Sequence, residues 1–105
     1  MPKYLVQGSY TDQGLKGLLK EGGSKRRAMV EQLANEMGGK LEAFYYAFGS
    51  DDFVIILDLP SNMDMAATAI VAQASGMVKS RVTVLMTPED VDEAVQRKVD
   101  FRSPE

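Results

Sequence analysis

Arg26 is the residue of this chain that most invites a chemical question. If one helix runs without a break through Gly22-Gly23, its apolar stripe passes through Leu15, Leu19, Gly22, Arg26, Met29 or Val30, Leu33 and Met37. Those positions keep the three- and four-residue spacing of a single helix face. A permanently charged guanidinium inside that stripe requires a carboxylate partner or an anionic ligand. A fresh helix start at Ser24 would add free backbone N–H groups and a positive dipole end, which also favour an anion. Two other readings stand beside this one. The double glycine can reset the helix phase, leaving Lys25, Arg26 and Arg27 as a solvated basic turn. Alternatively, Arg26 forms an internal ion pair with Asp52 or Asp58.

Asp51-Asp52 is the second candidate. Adjacent carboxylates can hold a hard cation or work as an acid and base pair. Neighbouring side chains on a strand point to opposite faces, however, and both residues are standard turn formers. The aromatics Tyr4, Tyr10, Phe44, Tyr45, Tyr46 and Phe48 concentrate on the first two strands. With Met29, Met37, Met63 and Met65 they could line a pocket for a small apolar ligand, or they could serve as core and interface. A tyrosine hydroxyl, with a pKa of ~10, is a donor rather than a base unless perturbed. The candidate binding set is therefore Arg26, Asp52, Tyr10 and Tyr46. No catalytic residue or metal site can be assigned.

Composition narrows the chemistry further. The 105 residues include no cysteine and no histidine. Disulfides, zinc-thiolate sites, iron–sulfur clusters and thiol nucleophiles are thereby excluded, as are the usual near-neutral base and haem ligand. The net charge of −3 argues against a nucleic-acid partner. The opening MPKYLVQGSY lacks the apolar core of a signal peptide, and no apolar run approaches the ~20 residues of a bilayer span. The expectation is a cytoplasmic protein with no cofactor, no membrane partner and no nucleic-acid partner.

The elements that must position these residues follow from periodicity. Lys3 to Tyr10 reads as a strand, with Tyr4, Val6 and Tyr10 on one face and Leu5 on the other. A helix capped by Thr11 or Asp12 carries Leu15, Leu18 and Leu19, and is interrupted at Gly22-Gly23. It restarts with Ser24 as N-cap and ends at Gly38-Gly39. The segment KLEAFYYAFGSDDFVIILDLP, Lys40 to Pro60, reads as two strands joined by a turn at Gly49-Ser50-Asp51-Asp52. Both strands are apolar on both faces. Leu41, Ala43, Tyr45 and Ala47 oppose Phe44, Tyr46 and Phe48, while Phe53, Ile55, Leu57 and Leu59 oppose Val54 and Ile56. A half-exposed sheet would alternate apolar with polar residues. A chain this short can cover one face with its own helices, so the other face calls for a second copy.

Ser61 then opens a helix rich in small apolar residues, which could lie close to a sheet or form an assembly surface. Met77 to Thr87 reads as an edge strand with one polar face, and Thr87-Pro88 opens a short last helix. The order is β-α-β-β-α-β plus a terminal helix. It predicts an α+β, ferredoxin-like domain over residues 1–97, with a four-stranded antiparallel sheet and a tail at 98–105. Two such sheets packed by their bare faces would make a dimeric α+β barrel. RNA-recognition domains share this order, but DDFVIILDL on the third strand lacks their basic-aromatic signature.

The runs YLVQGSYTDQGLKGLLKEGGSKRR, KLEAFYYAFGSDDFVIILDLP and VTVLMTPEDVDEA together resemble the bacterial GYD-domain family, small proteins named for a Gly-Tyr-Asp signature. The resemblance extends from about Tyr4 to Ala94. Gly49 and Asp52 match the signature, while Asp51 stands where many members carry tyrosine. The resemblance implies a ferredoxin-like fold of the dimeric α+β barrel type and brings no settled activity, substrate or cofactor. Three functions remain in play. One is a homo-oligomer that binds a small apolar or anionic ligand or serves as an accessory protein. Another is a cofactor-free isomerase or monooxygenase, with Arg26 stabilising an enolate and a desolvated Asp52 as base. The last is an oligomeric or regulatory module whose surface is its function.

Overall fold

The computed structural model describes residues 1–102 and 104 of the chain, so the expected tail at 98–105 lies partly outside the described residues. Its elements are β1 (Lys3–Tyr10), α1 (Asp12–Glu21), α2 (Gly23–Glu36), β2 (Lys40–Tyr46), β3 (Phe53–Asp58), α3 (Asn62–Ala74), β4 (Val78–Leu85) and α4 (Pro88–Gln96). The strands form one antiparallel sheet in the order β2-β3-β1-β4. This is the ferredoxin-like arrangement. The sheet is open, and no barrel closes among the described residues.

The caps show why the helices begin where they do. Thr11 is the N-cap of α1, its hydroxyl accepting from the Gly14 N–H. Ser61 does the same for α3 by accepting from the Asp64 N–H. Thr87 and Asp90 form a reciprocal capping box at α4, with Pro88 in the first turn. The helical stretch after β1 breaks at Gly22, whose φ of +85° lies in the region that only glycine enters without strain. The expected Ser24 cap is absent. α2 instead starts at Gly23, with Gly22 in the cap position and no side-chain cap.

One face of the sheet carries the core. Tyr4, Val6, Phe53, Ile55, Leu57 and Leu59 are buried together with Ala34 of α2 and Met65 of α3. The alternation expected for β1 and β3 therefore holds. That expected for β2 does not, because the pairing slips between Leu41 and Ala43. Leu41 sits opposite Leu57, whereas Ala43 sits opposite Ile56, so one extra residue, Glu42, interrupts the ladder. Leu41 consequently shares the helix-side face with Phe44 and Tyr46, while Ala43 and Tyr45 share the other. Glu42 is held at the bulge by Lys3 Nζ, 2.9 Å away. The same ammonium reaches the buried Asp58, on the sheet face away from the core, at 2.9 Å.

The opposite face of the sheet carries Leu5, Val54, Ile56 and Ala43, all half-buried, and Tyr45, which is exposed. No helix covers it. The edge strands are β2 and β4, and β4 turns Lys79, Arg81 and Thr83 to that face, as its polar alternation anticipates. The helix layer is incomplete on its own side as well. Of the stripe expected on α1, Leu15 and Leu19 are exposed and only Leu18 is half-buried. α4 buries none of its residues, leaving Val91 and Val95 open. The radius of gyration is 16.7 Å, against about 13 Å for a compact chain of this size.

Candidate functional site

Between the sheet and the two helices that straddle it lies a cavity of about 370 Å³. Val6, Tyr10, Phe44, Phe53, Ile55 and Leu57 form its floor, with Val78 and Ser80 from β4. Met29, Val30, Leu33 and Met37 of α2 form one wall, and Met65, Thr68, Ala69 and Ala72 of α3 the other. The small residues of α3 do not draw that helix down onto the sheet at this point. Ala69 and Ala72 face the gap and leave it unfilled. Met29 and Leu33 line the cavity yet are 51% and 44% exposed, so they mark its mouth.

The far end of the cavity is closed by Leu57, Leu59 and Met65, all nearly inaccessible. Behind them, Tyr4 donates from its hydroxyl to Asn62 Oδ1 at 2.6 Å, tying β1 to the start of α3. Thr68 is the polar residue of this half. Its hydroxyl lies 2.9 Å from the Asp64 carbonyl and 3.1 Å from Met37 Sδ, so it already has partners.

The other end is built around Arg26, and the structure decides among its three readings. The helix does break at Gly22, yet Arg26, Met29, Val30, Leu33 and Met37 all line the cavity. The inward stripe therefore survives the interruption, and Arg26 is no solvated turn: its side chain is 17% exposed. Its carboxylate neighbour is Glu21, the last residue of α1, with Oε1 2.9 Å from Nε. Neither Asp52 nor Asp58 plays that part. The Glu21 contact neutralises charge without a well-directed hydrogen bond, and Nε is buried with no hydrogen-bond partner among the described residues. Space for the guanidinium comes from Gly17 on α1. A Cβ there would fall 2.2 Å from Arg26 Nη2.

Tyr10 stands beside it at the end of β1, half-buried, with its ring 5.3 Å from that of Phe53. Burial of the phenol, followed by the neighbouring Tyr46, pushes its pKa up to about 12. Its O–H therefore keeps its proton at ordinary pH, with the Tyr46 hydroxyl as a hydrogen-bonding neighbour. Tyr46 does not line the main cavity. Its hydroxyl donates to the Gly23 carbonyl at 3.0 Å, and its ring packs where a Gly23 side chain would be. With Gly23, Ser24, Arg27 and Phe44 it lines a separate, smaller recess at the start of α2.

Asp52 is also absent from the cavity lining. Its Oδ2 accepts the Tyr10 backbone N–H at 2.9 Å, its N–H donates to the Gly8 carbonyl at 2.7 Å, and its carbonyl accepts from Ala47 at 2.8 Å. These bonds close the β2–β3 loop against β1 and set the position of Tyr10. Asp51 points elsewhere and takes both guanidinium nitrogens of Arg81 on β4 at 2.9 Å. The two carboxylates therefore do not converge. No group of three or more candidate metal-ligating side chains occurs among the described residues.

Of the four candidate residues, the fold brings Arg26 and Tyr10 into one cavity, leaves Tyr46 beside it and makes Asp52 a clamp on the backbone of Tyr10. Of the wider aromatic and methionine set, Tyr10, Phe44, Met29, Met37 and Met65 reach the cavity, whereas Phe48, Tyr45 and Met63 are exposed. Sequence reasoning missed Gly17, Glu21 and Ser80. Glu21 and Gly17 lie five and nine residues before Arg26, spacings that no single continuous helix would bring together on the cavity side. The only available signal was the glycine pair between them.

An α+β, ferredoxin-like domain with an apolar cavity under its helices is the class that this fold and site define. The GYD domain family model matches residues 4–95, and the chain belongs to that family. Neither the comparison with curated proteins nor that with solved structures returns a match. No helix among the described residues is long and apolar enough to cross a membrane.

Proposed function

We propose that this protein is a homo-oligomeric small-molecule-binding protein whose ligand occupies the cavity between the sheet, α2 and α3. The observation that carries this reading is the cavity itself. Its volume falls within the range of small-molecule sites, its walls are apolar, and its few polar groups gather at one end. Three methionines on its walls suit it to an adaptable fit. Binding without turnover is favoured because Asp52, the base that an enzymatic role would need, is already engaged by the Tyr10 N–H and does not line the cavity.

The oligomeric part of the proposal rests on the uncovered face of the sheet. Leu5, Val54, Ile56, Ala43 and Tyr45 form an apolar patch there, flanked by the Lys3–Asp58 and Arg81–Asp51 pairs. Burying such a face against a second copy would remove it from water.

A thermal-shift screen of small amphipathic compounds, followed by native mass spectrometry, tests the binding claim. At least one compound should raise the melting temperature of the wild type, and Ala69→Phe, which fills the cavity, should abolish that rise. A screen without a single stabilising compound, or an Ala69→Phe variant that binds as the wild type does, would refute it. For the oligomer the readout is light scattering: Ile56→Asp should shift the mass towards the monomer, and a monomeric wild type at micromolar concentration would overturn the assembly claim.

A further inference from the structure

We infer that the cavity ligand is an apolar acid, a carboxylate on a chain or aromatic body, with its head held by Arg26 and Tyr10 and its tail directed towards Leu59 and Met65. This inference rests on the cavity-binding reading above and adds to it the ligand's chemical class and orientation.

Four observations carry it. First, the polar groups at the head end are hydrogen-bond donors: the Arg26 guanidinium and the Tyr10 phenol. Ser80, opposite the side-chain-less Gly8, adds a hydroxyl near the same end. A head group that only accepts hydrogen bonds is the complement of such a set. Second, Glu21 Oε1 lies 2.9 Å from Arg26 Nε, yet Nε is buried with no well-directed hydrogen bond among the described residues. A guanidinium can meet a carboxylate with two parallel hydrogen bonds, and Arg26 lines the cavity. A charged, largely buried group with unmade hydrogen bonds gains most from a ligand that completes them.

Third, Gly17 keeps the guanidinium where it is, since any side chain there would displace it. That glycine lies inside α1, where alanine would be the better helix former. Fourth, the opposite end offers the tail only apolar surface, because the Thr68 hydroxyl already contacts the Asp64 carbonyl and Met37 Sδ. From Phe53 to Leu57 the floor runs four residues along β3, roughly 13 Å at about 3.3 Å per residue, room for a tail of several carbons.

The test uses three matched probes: decanoate, decanamide and decanol. Each is titrated below its aggregation limit into the wild type and into Arg26→Gln and Gly17→Ala, with calorimetry and amide chemical shifts as readouts. Decanoate should bind about ten-fold or more tightly than decanol, the return expected from charge-assisted hydrogen bonds. Arg26→Gln should remove that preference while leaving decanol affinity unchanged. Gly17→Ala retains the charge but moves the guanidinium, so it should weaken decanoate alone, with the melting temperature held or raised. Equal binding of acid and alcohol to the wild type, insensitive to Arg26→Gln, would overturn the acid assignment and leave the cavity reading intact. Failure of all three probes to bind would overturn both.

Discussion

The two ends of the cavity are made from the same elements yet differ in kind. At the Leu59 end, Tyr4, Leu57, Leu59 and Met65 are sealed from water, and the polar atoms there have partners. At the Arg26 end, the wall residues Met29 and Leu33 are half-exposed, and a guanidinium is left short of hydrogen bonds. Close packing with satisfied polar groups is what stability demands. Its relaxation at one end, beside a buried charge, is the feature on which the proposed ligand site rests.

The largest test of that contrast is truncation at either end. Leu59→Ala should cost about 2–5 kcal/mol in urea denaturation, whereas Met29→Ala at the mouth should cost less than about 1 kcal/mol. Comparable losses would show that the open end is ordinary core. Next comes a pair of identical substitutions that differ only in what they face. Gly14 and Gly17 both lie in α1, and alanine should favour either site by about 1 kcal/mol on helix propensity. A Cβ at Gly14, however, would fall 2.1 Å from the Met77 carbonyl oxygen, a backbone atom that also accepts the Thr11 N–H. Gly14→Ala should therefore destabilise by about 1–3 kcal/mol. At Gly17 the obstacle is the tip of a flexible side chain, so Gly17→Ala should leave stability equal or higher. A matching loss at both sites would remove the case for Gly17 as a residue kept for the guanidinium.

Smaller effects distinguish buried Tyr4 from half-buried Tyr10. Tyr4→Phe removes the bond to Asn62 and should cost about 1 kcal/mol, read by thermal melting. Tyr10 reports through pH. Its phenol keeps its proton up to about 12 in the native state, against an ordinary value of 10.0. The advantage to the fold is complete below pH 10 and declines as pH rises towards 12, where the native phenol also ionises. Tyr10→Phe should flatten that alkaline decline and remove a step near 12 from an ultraviolet phenol titration.

The smallest effect belongs to the turn. Arg81 holds the Asp51 carboxyl below its ordinary 3.8, so this contribution is present above that pH and fades as acid takes the native carboxylate. Asp51→Asn should reduce the acid dependence of melting slightly and leave ligand binding unchanged.

Much of this was legible in the chain because local rules and tertiary demands agree. Thr11, Ser61 and Thr87 cap the helices they precede, and the alternation of β1 and β3 names their buried face. The apolar stripe through Met29, Leu33 and Met37 also pointed to Arg26. The β2 assignment failed because one unpaired residue, Glu42, exchanges the faces of everything before it, and a bulge leaves no mark in a hydrophobic pattern. The partner of Arg26 was missed for a related reason. The sequence offered a break at Gly22-Gly23 as one reading, but not the angle at which α2 leaves α1. That angle brings Glu21 to Nε and Gly17 to Nη2.

What the sequence determined by itself was the order of elements, the caps at Thr11, Ser61 and Thr87 and the buried face of β1 and β3, since these depend on neighbours a few residues apart. The tertiary structure alone decided that small residues on α3 leave a gap, that Asp52 grips a backbone while Asp51 grips Arg81, and that one buried arginine faces a cavity. Each of these depends on side chains brought together from distant parts of the chain, where register and crossing angle set the distances and residue type does not.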